Sequence, residues 1–154
     1  MECLFIGLGA YFIQHMGSFN YGKIRTMGAV LVAISIPIFT NQLEKAREAT
    51  DEANIRSAYA QLSAAVLTEE TNSTAKSIGN GIMMKVTKTN SVVTGEVTVK
   101  LTQLQDNLQS GAESIDIGGV SVGKAVFQAG KYVKITIKND GSPTEFVSTD
   151  AAIS

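Results

Sequence analysis

The sequence predicts an α+β protein: a long N-terminal α-helix, apolar in its N-terminal part and amphipathic in its C-terminal part, packed on a small antiparallel β-sheet. Three observations carry that expectation. Neither glycine nor proline interrupts residues 38–70. Over the same stretch apolar residues recur at three- and four-residue spacing, the period of a helix. Beyond residue 71 the apolar period falls to two, the period of a strand.

Composition narrows the class. The chain has 154 residues, enough for one domain with an appended segment. Only 18% are charged while 44% are hydrophobic, against roughly a quarter charged in an ordinary soluble domain. The deficit points to an apolar stretch meant for lipid or for another subunit. A net charge of −1 gives no global field to recruit nucleic acid or an acidic substrate, so no direct nucleic-acid partner is expected. The single cysteine, Cys3, has no intrachain partner, and neither it nor the lone His15 has the companions of a metal site. No catalytic residue, cofactor or metal is expected.

Residues 1–26 form an atypical N-terminal segment. An apolar run, Met1 to Ile13, is followed by the polar QHMGSFNYGKIRT, and Glu2 departs from the basic start of a secretory signal. The next run, Met27 to Phe39 (MGAVLVAISIPIF), is apolar all round, with Lys23 and Arg25 placed to stay on a cytoplasmic side. Both runs fall short of the ~20 apolar residues that span a bilayer, and the second taken alone fits a buried core helix equally well. From Asn41 to Glu70 the pattern is amphipathic, with Leu43, Ala46, Ala49 or Thr50, Ala53, Ile55, Ala58, Tyr59, Leu62 and Val66 on the apolar face. Glu44 with Arg47, Arg47 with Asp51, and Glu52 with Arg56 are spaced to support an exposed face. Pro37 is expected to kink the helix without ending it. Residues 27–70 thus read as one helix, about 65 Å long at ~1.5 Å per residue. A helix end that is greasy around its whole circumference must enter lipid or a bundle of like helices.

Residues 71–154 are expected to form an antiparallel head of three to five strands. Thr71-Asn72-Ser73-Thr74 suits a helix stop. Apolar and polar residues then alternate in three runs, around Ile82 to Val86, Val93 to Leu101 and Val133 to Ile137, each with one face for packing and one for water. Lys88-Thr89-Asn90 and Asn139 to Pro143 are turn candidates. Leu101, Leu104 and Leu108 suggest a short helical turn, and Ser110 to Gly123 is rich in glycine.

Residues 29–62, AVLVAISIPIFTNQLEKAREATDEANIRSAYAQL, resemble the first helix of type IV pilins and pseudopilins, especially those of Gram-positive, clostridia-like bacteria. The shared features are the apolar run, the AISIP step ending at Pro37, Phe39, and the NQLEKAREA passage into the amphipathic half. The resemblance implies a pilin fold whose apolar end, Ala29, Val30, Leu31, Val32, Ala33, Ile34, Ile36, Pro37, Ile38 and Phe39, lies first in the membrane and then in a filament core. It also implies a bacterial protein at the cell membrane and cell surface. Its partners would be other pilin subunits, forming a homo-oligomeric filament, the membrane, and the pilus or secretion assembly machinery. The family's processing signature, Gly-Phe-Thr-Leu-x-Glu, is missing. Counted back from Pro37, its glycine falls at His15 and its acid at Asn20, so no prepilin cleavage site is recognisable. A mis-called start is the preferred account, ahead of a decayed pilin with a degenerate leader or a divergent anchored relative.

Other motifs weigh little. Gly118 to Ala125 approaches a phosphate loop, but Ala125 lacks the hydroxyl that would hold magnesium and a strand follows, so a turn with a bulge accounts for it better. Asn72-Ser73-Thr74 matches a glycosylation acceptor and reads instead as a polar turn. Asp51 with Glu52, and Glu69 with Glu70, diverge on a helix and read as surface charge. Of Met83 and Met84, one is expected to pack and one to face out.

The leading functional expectation is a structural subunit of a type IV pilus or pilus-like filament, for adhesion, motility or DNA uptake. A pseudopilin of a type II secretion or competence system is the alternative within the family. A membrane-anchored, non-polymerising surface binding module is the alternative outside it.

Overall fold

The computed structural model describes residues 21–108 and 111–154, except for the side chains of residues 21–37. Residues 1–39 and 40–154 form two compact units. Helix α1 (Tyr21–Leu67) belongs to both and is helical through Pro37. It starts before the expected Met27 and stops at Leu67, short of Glu70.

The stop is made by backbone geometry. Glu69 takes a left-handed φ of 54°, which lets Glu70 N–H bond Ala65 O and Glu69 N–H bond Val66 O. These are the two bonds of a Schellman cap, with glutamate in the place glycine usually fills. The Glu69 carboxylate meets Lys88 Nζ. Because the cap is complete by Glu70, the Thr71 to Thr74 cluster is free for other use, and Asn72–Gly79 is the edge strand β1.

Six further strands follow: β2 (Ile82–Thr89), β3 (Val92–Lys100), β4 (Ser114–Ile117), β5 (Val120–Gly123), β6 (Tyr132–Lys138) and β7 (Glu145–Thr149). Five make one antiparallel sheet in the order β1-β2-β3-β6-β7, and β4 with β5 makes a separate hairpin. The expected α+β arrangement is present, with one helix on an antiparallel sheet. Three hairpins close through two-residue turns, Asn80-Gly81, Asn90-Ser91 and Gly118-Gly119, every residue of which has positive φ. That is the turn whose twist matches paired strands.

Three expectations for the head change. The Asn72 amide bonds Met84 O through Nδ2 and accepts Val86 N–H at Oδ1, so it stands in for a stretch of ladder where β1 slips register. The 101–108 segment forms no helix: Leu101 is buried, Leu104 is exposed, and bends run from Leu104 to Asn107. Nor is the outer sheet face wholly wet. Ile153 N–H bonds Thr98 Oγ1, Lys85 Nζ bonds Ser154 O, and Thr98 is fully buried.

The core lies between the C-terminal half of α1 and the inner sheet face. Ile55, Ala58, Leu62 and Val66 meet Val86, Val93, Val97 and Ile135, each buried aliphatic chain stabilising the fold by about 1.5–3 kcal/mol. Close approach depends on Gly95 in the centre of β3. A Cβ there would sit 2.5 Å from Val66 Cγ2 and 2.7 Å from Leu62 Cδ1. Gly95→Ala is therefore expected to lower unfolding free energy by about 1–3 kcal/mol through overpacking, measured by urea titration. Combined with Val66→Ala, it should cost less than the sum of the two single changes; strict additivity would show that the helix and strand do not meet there.

Candidate assembly surface

Of the ten residues expected in a filament core, Ala29, Val30, Leu31, Val32, Ala33, Ile34, Ile36 and Pro37 lie on α1, with side chains outside the described residues. The other two, Ile38 and Phe39, are 58% and 68% exposed. Among the described residues, no helix is long and apolar enough to cross a membrane.

In the second unit the helix carries two faces, and the lower part of the packed one differs from expectation. Leu43, Ala46, Ala49, Thr50 and Ala53, expected to pack, are exposed. The packed face runs Glu44, Glu48, Asp51, Ile55, Ala58, Leu62 and Val66, with its first three positions acidic and nearly fully buried. The physical reason is the partner each half meets. Above Ile55 the helix lies on the apolar sheet, whereas below it lies on the 102–105 loop, which offers bare N–H groups.

Those N–H groups account for Asp51 and Glu44. Asp51 Oδ1 accepts from Thr102 Oγ1 at 2.8 Å, and Oδ2 accepts from Thr102 N at 2.8 Å and Gln103 N at 3.0 Å. Glu44 Oε1 accepts from Leu104 N and from Gln105 N at 2.9 Å, while its Oε2 meets Arg47 Nη1 at 3.2 Å. Two carboxylates seven residues apart thus hold four consecutive residues of one loop. Such charge-assisted bonds are stronger than neutral ones, and they satisfy backbone donors, one buried and three partly so, that would otherwise go unpaired. On the loop's other side Gln103 Nε2 donates to the carbonyls of Gln105 and Phe127 at 2.8 and 3.0 Å. Leu104, fixed in this way, still leaves 68% of its surface exposed.

Burial alone would push the Glu44 carboxyl up. The N–H groups of Gln105 and Leu104, then the Arg47 side chain, outweigh it and hold the carboxyl below its ordinary value of 4.5. The reading of Asp51 as surface charge is therefore corrected: it is buried and fully engaged. Glu52 and Glu69 are engaged by cations, at Arg56 and Lys88. The signal for the clamp was present in the sequence, since Glu44, Glu48 and Asp51 share the heptad-like spacing that leads to Ile55 and Ala58. Acids at that spacing read as a solvated face unless the loop they meet is known.

No family model, curated protein or solved structure matches the chain.

The remaining motifs take structural places. The Gly118-Gly119 pair is the β4–β5 turn, Gly119 N–H bonds Asp116 Oδ1, and Lys124 pairs with Glu113 at 2.8 Å. A side chain at Gly118 would collide with the Tyr59 ring, 2.1 Å away. Asn72 has its amide committed to β2, so a glycan there would break the edge of the sheet. Met84 packs against the core and Met83 is half-buried. Among the described residues, no group of three or more His, Cys, Asp or Glu side chains is placed to hold a metal.

Two outcomes test the clamp. Asp51→Asn puts an amide N–H where a carboxylate oxygen accepts, leaving a buried loop donor unpaired, and should cost about 1–3 kcal/mol in urea unfolding. Glu44 has a lowered folded pKa, so its contribution is fully present above 4.5 and is lost as pH falls through the lower folded value. Glu44→Gln, whose Oε1 can still accept both N–H groups but which loses the charge and the Arg47 pair, should flatten that acid-side loss by lowering the stability at neutral pH toward its acid value. An unaltered slope of stability against pH would refute the assignment.

Proposed function

We propose that the protein is a structural subunit of a type IV pilus or pilus-like filament, assembling through the apolar N-terminal part of α1. The observation that carries the reading is the pair Ile38 and Phe39, large apolar residues left exposed on a 47-residue helix where the apolar run 27–39 ends. A helix bearing such a run gains by burying it against copies of itself, at roughly 25 cal/mol per Å² of apolar surface. Small residues Ala29, Ala33 and Ser35 suit close approach of neighbouring helices. One long helix on an antiparallel sheet is the layout expected of a pilin fold, and the resemblance over residues 29–62 supports the same reading. In this arrangement the sheet forms the filament's outer surface.

Electron microscopy of cells making the full chain tests the proposal. Phe39→Glu should abolish surface filaments containing this protein, because it places an unpaired charge in an apolar contact. Val147→Thr, which alters an exposed apolar residue on the edge strand β7, should leave them intact. Filaments of normal number and composition in the Phe39→Glu cells would overturn the assembly route.

A further inference from the structure

We infer that Asn80 is a site of self-modification, converting in the folded protein through a cyclic imide to aspartate and isoaspartate. The inference is independent of the filament reading. It rests on what distinguishes this asparagine from the others. Asn80-Gly81 is the one Asn-Gly pair in the sequence, so only here does the attacking backbone nitrogen belong to a residue without a Cβ. The pair forms the tip of the β1–β2 hairpin, and both residues are exposed. Gly81 is not crowded, since an added Cβ would meet its nearest neighbour, Lys100 Cβ, only at an ordinary contact distance of 3.7 Å.

Side-chain bonds separate the candidates further. The Asn72 amide is tied to Met84 and Val86, and Asn139 Oδ1 accepts Val93 N–H at 2.9 Å. Asn80 makes no side-chain hydrogen bond among the described residues, so its carbonyl carbon is free to turn toward the chain. Attack requires Asn80 to rotate out of its left-handed turn conformation, φ 50°. The hairpin allows that locally, because β1 is an edge strand and its pairing shifts register between Ser77 and Gly79.

The chemistry balances with water alone. The Gly81 backbone nitrogen gives its proton to solvent base and bonds to Asn80 Cγ, the Cγ–Nδ2 bond breaks, and ammonia leaves with a proton. Water then opens the imide. Breaking the bond from nitrogen to Cγ gives aspartate; breaking the bond to the Asn80 main-chain carbonyl carbon gives isoaspartate. Either product adds a negative charge at the hairpin tip. Isoaspartate also inserts a methylene into the main chain, which lengthens a two-residue turn beyond its ordinary geometry.

Ageing the full chain in mildly alkaline buffer, followed by peptide mapping, tests this. Asn80 should gain the mass of NH replaced by O faster than Asn72, Asn90, Asn107 or Asn139, and isoaspartate should accompany aspartate. Gly81→Ala should slow the reaction severalfold. Because that change also strains the turn, the two chains are compared a second time unfolded in urea, where only the side chain's obstruction remains and the slowing should persist. Asn80 reacting no faster than Asn90, aspartate forming without isoaspartate, or Gly81→Ala leaving the unfolded rate unchanged would each overturn the inference.

Discussion

One helix face has to satisfy two surfaces of opposite chemistry, and the rest of the head is arranged around that. From Ile55 to Val66 the face meets Val86, Val93, Val97 and Ile135, where only apolar volume is useful. From Glu44 to Asp51 it meets a loop that has left β3 and whose N–H groups have no strand beside them. An aliphatic side chain there would bury donors without partners, a larger penalty than a hydrogen bond's net gain. Carboxylates resolve the conflict, at the cost of taking charges out of water, which the bonds from the loop and from Arg47 offset. The helix keeps a single spacing and changes chemistry halfway along it.

That change decides what the opposite side of the helix exposes. With acids filling the inward positions, Leu43, Ala46, Ala49 and Ala53 are left outside. Scattered exposed apolar residues need no explanation. A row of them on a helix that also carries Met27 to Phe39 is different, and on the filament reading it supplies surface for neighbouring subunits. The same row misled the periodicity argument, because an apolar stripe shows that a face will be covered and says nothing about by what.

The pattern of legibility follows from this. Strand alternation around Ile82, Val97 and Ile135 was readable because each run has one buried face, and a period of two admits no other assignment. The helix was readable because nothing between residues 38 and 67 breaks it. Its stop was misplaced because the cap uses Glu69 in a conformation that only backbone bonds reveal. Strand β1 was hidden because Asn72 pairs through its side chain, and because Asn72, Ala75, Lys76 and Gly79 are of types depleted in strands, with only Thr74 and Ile78 to announce it. The loop from Leu101 to Leu108 looked helical by leucine spacing alone. Its N–H groups are claimed by Asp51 and Glu44, residues some fifty to sixty positions away, and such long-range claims leave no local trace.

Apolar packing alone leaves a helix loosely indexed on a sheet, since many aliphatic surfaces fit nearly as well after a small slide or rotation. The head removes that freedom with directional contacts. Gly95 admits Val66 and Leu62 at one place along β3, and the Tyr59 ring sits against the Gly118 backbone, where no side chain would fit. Asp51 must face Thr102 while Glu44 faces Gln105. Moving the helix by one residue swings both carboxylates about 100° away from the loop, as 3.6 residues per turn requires, and strands four loop donors, that of Gln103 buried. Leu43 and Leu104 are therefore presented in a fixed relation to the sheet, although neither packs in its core. On the filament reading, every copy must offer its neighbours the same surface, and polar contacts that set register give a helix with an otherwise slippery apolar face that constancy.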